Sequence, residues 1–202
     1  MENLDLFSAP AVSGEWLDIP DGKLFWAPNF LSATDADDYF HRLSVGLNWQ
    51  QETITMFGRE VLQPRLQAWC GEAVYSYSGL TMYPAPWTPE LLAIKSACEQ
   101  VCESRFNSVL ANLYRNGQDY MGWHQDNEPE LGPQPTIASV SLGEERRFVL
   151  KHLASKQKVE FNLQSGSLLV MAGTTQQFWS HSVPKTQRFK SPRINLTYRT
   201  IW

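Results

Sequence analysis

Three side chains in this sequence have the types and spacing of a metal-binding set. Trp123-His124-Gln125-Asp126 places an imidazole and a carboxylate two residues apart, so on an extended segment both project to one side and can meet one ion. His181 follows 57 residues after His124, in a strand-like pattern. Two imidazoles and one carboxylate with coordination positions left open are the facial set of non-haem Fe(II) oxygenases. His-x-Asp alone is common, and a surface His-Asp pair plus a satisfied core histidine would read the same way.

A second set begins twelve residues beyond His181, at Arg193-Ile194-Asn195-Leu196-Thr197-Tyr198-Arg199. As a strand, this run puts Arg193, Asn195, Thr197 and Arg199 on one face and apolar side chains on the other. A buried guanidinium needs an anion partner. A dicarboxylate brings two, and guanidinium forks match carboxylates bidentately. 2-Oxoglutarate, which also chelates Fe(II) through its keto acid, would account for both sets together. An edge strand showing its polar face to water is the competing reading. Asn112 and Tyr114 share a strand face in the same way.

The elements that must position these residues are mostly strands. Short apolar or alternating runs at 108–115, 136–142, 146–152, 158–163, 167–172, 176–183 and 193–200 are separated by glycine, proline and polar turns. So many strands without intervening helices predict an antiparallel sandwich or barrel, with the jelly roll as the candidate. Helices are expected earlier. Leu31-Ser32-Ala33-Thr34-Asp35 opens one that Gly46 ends, and Thr88-Pro89-Glu90 opens another with Leu91, Ile94, Cys98 and Val101 on one face.

Length and composition fit one domain: 202 residues, 43% hydrophobic, 12% aromatic with eight Trp. The start is acidic, with no cationic segment leading into an apolar run, and no stretch reaches membrane-spanning length. A cytoplasmic protein, nuclear in a eukaryote, is the expectation. Cys70, Cys98 and Cys102 are an odd set, read as reduced core thiols. The net charge of −4 argues against a polyanionic partner, yet residues 141–202 carry ten Lys and Arg against three acids. A locally basic face can track phosphates, although a solvated strand-rich surface gives the same count.

From Phe57 onward the sequence resembles the AlkB family of DNA and RNA dealkylases. Asn112-x-Tyr114, His124-x-Asp126 with Glu128, Ser139-x-Ser141-Leu142-Gly143, Arg147-Phe148, His181 and Arg193-x-Asn195-Leu196-Thr197-Tyr198-Arg199 follow the family in order. The resemblance implies an α+β fold: a double-stranded β-helix (jelly roll) core with N-terminal helices and a substrate-binding hairpin lid. It places helices and a nucleotide-recognition lid in residues 1–107 and the catalytic core in 108–202 of a single domain. His124, Asp126 and His181 would ligate Fe(II), while Asn112, Tyr114, Arg193, Asn195, Thr197 and Arg199 would hold 2-oxoglutarate, with O2 as the oxidant. Arg193 would take the distal carboxylate, and Arg199 would lie nearer the iron.

The implied activity is oxidative dealkylation of 1-methyladenine or 3-methylcytosine in DNA, giving succinate, CO2 and formaldehyde. The same chemistry on RNA, a protein or a small molecule is the alternative, and a non-catalytic nucleic-acid-binding jelly roll a more distant one. On the substrate side, Tyr75 and Tyr77 would sandwich an extruded base, where ordinary cross-strand packing is the competing view. Phe57, Gly58 and Arg59 resemble a hairpin tip that wedges into the base stack. Glu128 would face a cationic base, Arg65 would reach across the pocket and Asn127 would touch a phosphate, each with a solvated loop as the alternative. A monomer suffices for such an enzyme.

Overall fold

The computed structural model describes residues 13–56, 59–77 and 80–202. In chain order the elements are β1 (Glu15–Ile19), β2 (Gly22–Ala27), α1 (Ala33–Gly46), β3 (Thr53–Met56), β4 (Arg59–Leu62), β5 (Leu66–Gly71), β6 (Tyr75–Tyr77), β7 (Leu80–Met82), α2 (Pro89–Cys102), β8 (Ser108–Tyr114) and β9 (Met121–His124). A 3-10 turn (Pro129–Leu131) leads to β10 (Ile137–Gly143), β11 (Arg146–His152), β12 (Lys158–Leu163), β13 (Leu168–Ala172), α3 (Thr175–Phe178), β14 (Trp179–Val183) and β15 (Arg193–Arg199).

Both longer helices begin where their capping residues stand. The Ser32 hydroxyl accepts the Asp35 N–H at 3.1 Å, and the Thr88 hydroxyl accepts the Leu91 N–H at 3.3 Å ahead of Pro89; each cap is worth about 1 kcal/mol. Packing contributes more. Ala36 and Leu43 of α1 and Leu91, Ile94 and Cys98 of α2 bury against Val140, Leu142, Ile194, Leu196 and Tyr198, at roughly 1.5–3 kcal/mol for each large side chain. Val101 joins at the margin, as the helical spacing predicts.

The strands form a seven-stranded antiparallel sheet, β1-β2-β13-β10-β15-β8-β5, facing a four-stranded one, β12-β11-β14-β9. Ile137, Leu169 and Met171 of the larger sheet meet Phe148, Leu150, Phe161, Trp179 and Val183 of the smaller, while the helices cover the larger sheet's other face. This is the expected jelly roll. The hairpins β3–β4 and β6–β7 stand apart as separate two-stranded pairs.

Three departures from the sequence reading have physical causes. β1, β2 and β5 come from residues before 108, so the large sheet is assembled from both sides of the boundary drawn at 107. β5 is buried along most of its length and β1 is a largely exposed edge, so neither alternates in the way that marks a half-buried strand. The run 176–183 is divided: residues 175–178 are a helical turn, and the strand begins at Trp179. β9 is only four residues long and none of them is fully buried, so it gave no periodic signal.

Among the described residues no helix is long and apolar enough to cross a membrane. Cys70 and Cys98 are buried and Cys102 half-buried, all as free thiols. Burial pushes the Cys70 thiol up to about 11 and that of Cys102 to about 12, which makes them poor nucleophiles, as expected of packing residues.

Candidate active site

β9 ends on His124 and β14 carries His181, while Asp126 stands two residues beyond the end of β9. His124 and His181 are paired across the two strands, as are Met121 and Val183, so β9 holds one more residue than β14 over the same interval. That β-bulge re-aims the strand. Both Met121 and His124 reach the cavity between the sheets, and Trp123 is left 47% exposed outside.

His124 Nε2 lies 3.5 Å from Asp126 Oδ1, and His181 Nε2 lies 4.0 Å from Asp126 Oδ2. One ligand atom from each of the three residues falls within 4.8 Å of the others. Two imidazoles and a carboxylate this close together are the donor set that would hold one Fe(II). His124 Nδ1 lies 2.9 Å from the Gly122 carbonyl; a carbonyl only accepts, so Nδ1 carries the proton and Nε2 presents its lone pair.

The protonation states also suit a cation. Burial pushes the His181 pKa down to about 3, with His124 adding repulsion, so the ring is neutral at pH 7. Burial alone would raise Asp126, but the charge of Arg199, whose Nη2 is 3.7 Å away, leads the neighbouring groups that hold it below the usual carboxylate range. A neutral imidazole and an ionised carboxylate are the ligand forms. Gln176, which sequence reading placed in a strand, fixes this segment: its Oε1 accepts the Asp126 N–H at 2.9 Å, and its carbonyl accepts from Gln125 Nε2 at 2.8 Å.

β15 lies between β10 and β8, with all seven residues buried. Ile194, Leu196 and Tyr198 face the helices, so Arg193, Asn195, Thr197 and Arg199 face inward between the sheets rather than to water. Register aligns Asn195 with Ser141 on one side and Asn112 on the other, and Asn112 with Gln67 beyond. A polar row thus crosses four strands. Asn195 Nδ2 donates to Ser139 Oγ at 2.8 Å, and Thr197 Oγ1 to Asn195 Oδ1 at 3.2 Å.

Arg193 is 1% exposed. Its guanidinium lies 5.2 Å over the Tyr114 ring, and Nη2 donates to Ser141 Oγ at 2.9 Å. Nε and Nη1 are buried with no hydrogen-bond partner. Burial pushes its pKa down to about 10, which still leaves it charged at pH 7. Orphaned N–H groups on a buried cation cost about 1–3 kcal/mol or more each, and an entering carboxylate would satisfy them. This observation fits a 2-oxoglutarate site as the donor set of His124, Asp126 and His181 fits iron. Tyr114, Asn112, Asn195, Thr197 and Arg199 line the cavity; Arg193 lies behind Tyr114.

The substrate-side expectations divide. Arg65 is 3% exposed and its Nε donates to Asn112 Oδ1 at 2.7 Å, so it belongs to the cavity and not to a solvated loop. Glu128 also lines the cavity, with Oε2 buried and unpartnered. Asn127 is exposed and absent from that lining, and Arg59 is exposed on β4. Tyr75 and Tyr77 form β6, paired with Met82 and Leu80. Phe57 and Gly58 lie outside the described residues. Sequence reading missed Gln63 and Gln67, which share the cavity with Arg65. Their i, i+2, i+4 spacing was the available signal, obscured by Pro64.

Comparison with known proteins agrees with this geometry. The family described as the 2OG-Fe(II) oxygenase superfamily matches residues 23–199. The chain is 42% identical over 185 residues to the bovine alpha-ketoglutarate-dependent dioxygenase alkB homolog 3, covering 87% of this chain and 65% of that protein. It thus spans slightly less than two thirds of that relative. It is 37% identical over 224 residues to the DNA oxidative demethylase ALKBH2 of Arabidopsis thaliana, covering 96% of this chain and 71% of that one, and 39% identical over 180 residues to human ALKBH2, covering 83% and 69%. The solved structure of OsALKBH1 superposes with a TM-score of 0.64 over 92% of this chain and all of that one at 17% identity, a likeness of fold. With its triad and inward-facing arginine strand, the chain belongs to the AlkB branch of the 2OG-Fe(II) oxygenase superfamily, whose cofactors are Fe(II), 2-oxoglutarate and O2.

Proposed function

We propose that this chain removes alkyl groups from N-alkylated bases of the 1-methyladenine and 3-methylcytosine type in DNA. The observation that carries the reading is the juxtaposition of His124, Asp126 and His181 with a buried arginine, Arg193, whose Nε and Nη1 have no partner. The likeness to proteins named DNA oxidative demethylase supports the substrate class. Fe(II), 2-oxoglutarate and O2 would supply the oxidising chemistry, one oxygen atom going into succinate as CO2 is lost and the other onto the N-methyl carbon, which then leaves as formaldehyde.

The protein's share is orientation and exclusion of water. In this proposal His124, Asp126 and His181 hold the metal, Arg193 and Tyr114 the distal carboxylate, and Asn112, Asn195, Thr197 and Arg199 the remainder of the cosubstrate. Glu128 and Arg65 face the base; Tyr75, Tyr77, Phe57, Gly58, Arg59 and Asn127 belong to the nucleic-acid side by resemblance. The chain works as a monomer on one extruded base.

The test is formaldehyde and succinate release from 1-methyladenine oligonucleotides, DNA and RNA, single-stranded and duplex, with and without Fe(II) and 2-oxoglutarate. Coupled release of both products from DNA is expected. Release confined to RNA would move the substrate, succinate without formaldehyde from any oligonucleotide would remove it, and neither product from folded, metallated protein would overturn the proposal.

A further inference from the structure

Three polar side chains of the cavity are assigned neither to the iron nor to the cosubstrate, although two of them, Arg65 and Gln67, donate to Asn112 of the cosubstrate set. Gln63, Arg65 and Gln67 are 2%, 3% and 3% exposed and line the cavity together. Their alternate spacing places them along one face of the extended segment leading into β5. Arg65 settles the orientation of two neighbours. Its Nε can only donate, so Asn112 turns its oxygen toward it at 2.7 Å. The same oxygen receives Gln67 Nε2 at 3.3 Å, which leaves Gln67 Oε1 as an acceptor, buried and unpartnered.

Gln63 is the more telling of the two amides. Its Nε2 is buried with no hydrogen-bond partner, although a side-chain amide is ordinarily satisfied when it leaves water. Its backbone is fixed on both sides: the N–H donates to the Glu52 carbonyl at 2.8 Å, and the carbonyl accepts from Gln51 Nε2 at 2.9 Å. A main chain fixed on both sides therefore holds an amide donor in the cavity with no protein partner, where a ligand acceptor can take it up.

We propose that Gln63 is a specificity-determining residue that hydrogen-bonds the heteroatom edge of the substrate base, with Gln67 Oε1 as a second reading atom on the same face. This rests on the function proposed above and adds the residue that selects among bases. The ligand class is a heteroaromatic ring offering an acceptor to Gln63 and a donor to Gln67.

The experiment compares wild type with Gln63→Met, of similar length and without polar atoms, and with Gln63→Leu should the first not fold. Steady-state kinetics on a 1-methyladenine DNA oligonucleotide are read beside thermal melts. The expected result is a KM for the oligonucleotide raised about tenfold, the weight of one neutral hydrogen bond, with a melting temperature equal to or above wild type. An unchanged KM overturns the proposal, and so does a lowered melting temperature with kcat lost, which would make Gln63 a structural residue. If wild type itself dealkylates no oligonucleotide, the substrate reading fails and the inference falls with it; if wild type is active and the variant equals it, the inference alone fails.

Discussion

Two kinds of residue make this site: those whose partners are present and those whose partners are missing. Asp126 is held by Gln176 and by the Arg199 charge, so the carboxylate is in place before any cation arrives. Replacing His124 or Asp126 by Ala should abolish both formaldehyde and succinate release and weaken Fe(II) binding, read by anaerobic metal titration. Retained succinate release in either variant would remove the triad from the chemistry. Arg193 is the opposite case, with two N–H groups idle. Arg193→Lys keeps the charge but loses the planar fork, so KM for 2-oxoglutarate should rise tenfold or more; an unchanged value would place the dicarboxylate elsewhere.

Strands convert those residues into a site, and their legibility varied with how many faces they bury. β15 was readable because polar and apolar side chains alternate along it, although the sequence left open whether the polar face met water. The two sheets decide that: every residue of β15 is buried. β5 could not be recognised, because a strand covered on both faces has no period to detect. Nor could the β9 bulge, since an extra residue is a property of pairing with β14. Gly143 shows how a strand end controls the site. It ends β10 opposite Arg193 at φ +82°, and a Cβ there would come 2.6 Å from the Pro192 carbonyl oxygen. Gly143→Ala should cost about 2 kcal/mol or more, which for this size lowers the melting temperature by roughly 4–8 °C, and it should raise KM for 2-oxoglutarate by moving Arg193. A melt within 1 °C of wild type, on the order of the smallest resolvable shift, would contradict this.

Across the whole molecule, the charge count alone misleads in both directions. Net charge is −4, yet the carboxyl third is basic; of its ten cations, Arg146, Arg193 and Arg199 are buried, and Arg147 and Lys190 are paired with Glu160 and Glu144. Lys151, Lys156, Lys158, Lys185 and Arg188 are left without an acidic partner among the described residues, and two of these lie over the rings of Trp123 and Tyr120. Binding to an oligonucleotide should therefore depend on salt only moderately. Each neutralised phosphate contributes a slope of roughly −0.9 on duplex DNA, so three to five contacts predict a log–log slope between about −3 and −5. Fluorescence anisotropy with a labelled methylated duplex from 50 to 200 mM salt, a range over which such proteins differ by roughly orders of magnitude, measures it. A slope within those limits means that recognition rests on the captured base and its polar cavity, and an unmodified duplex should then bind more weakly at every salt concentration. A slope near −8, on the order of eight or more phosphates, would require cations beyond these five and would transfer the affinity from the cavity to the surface.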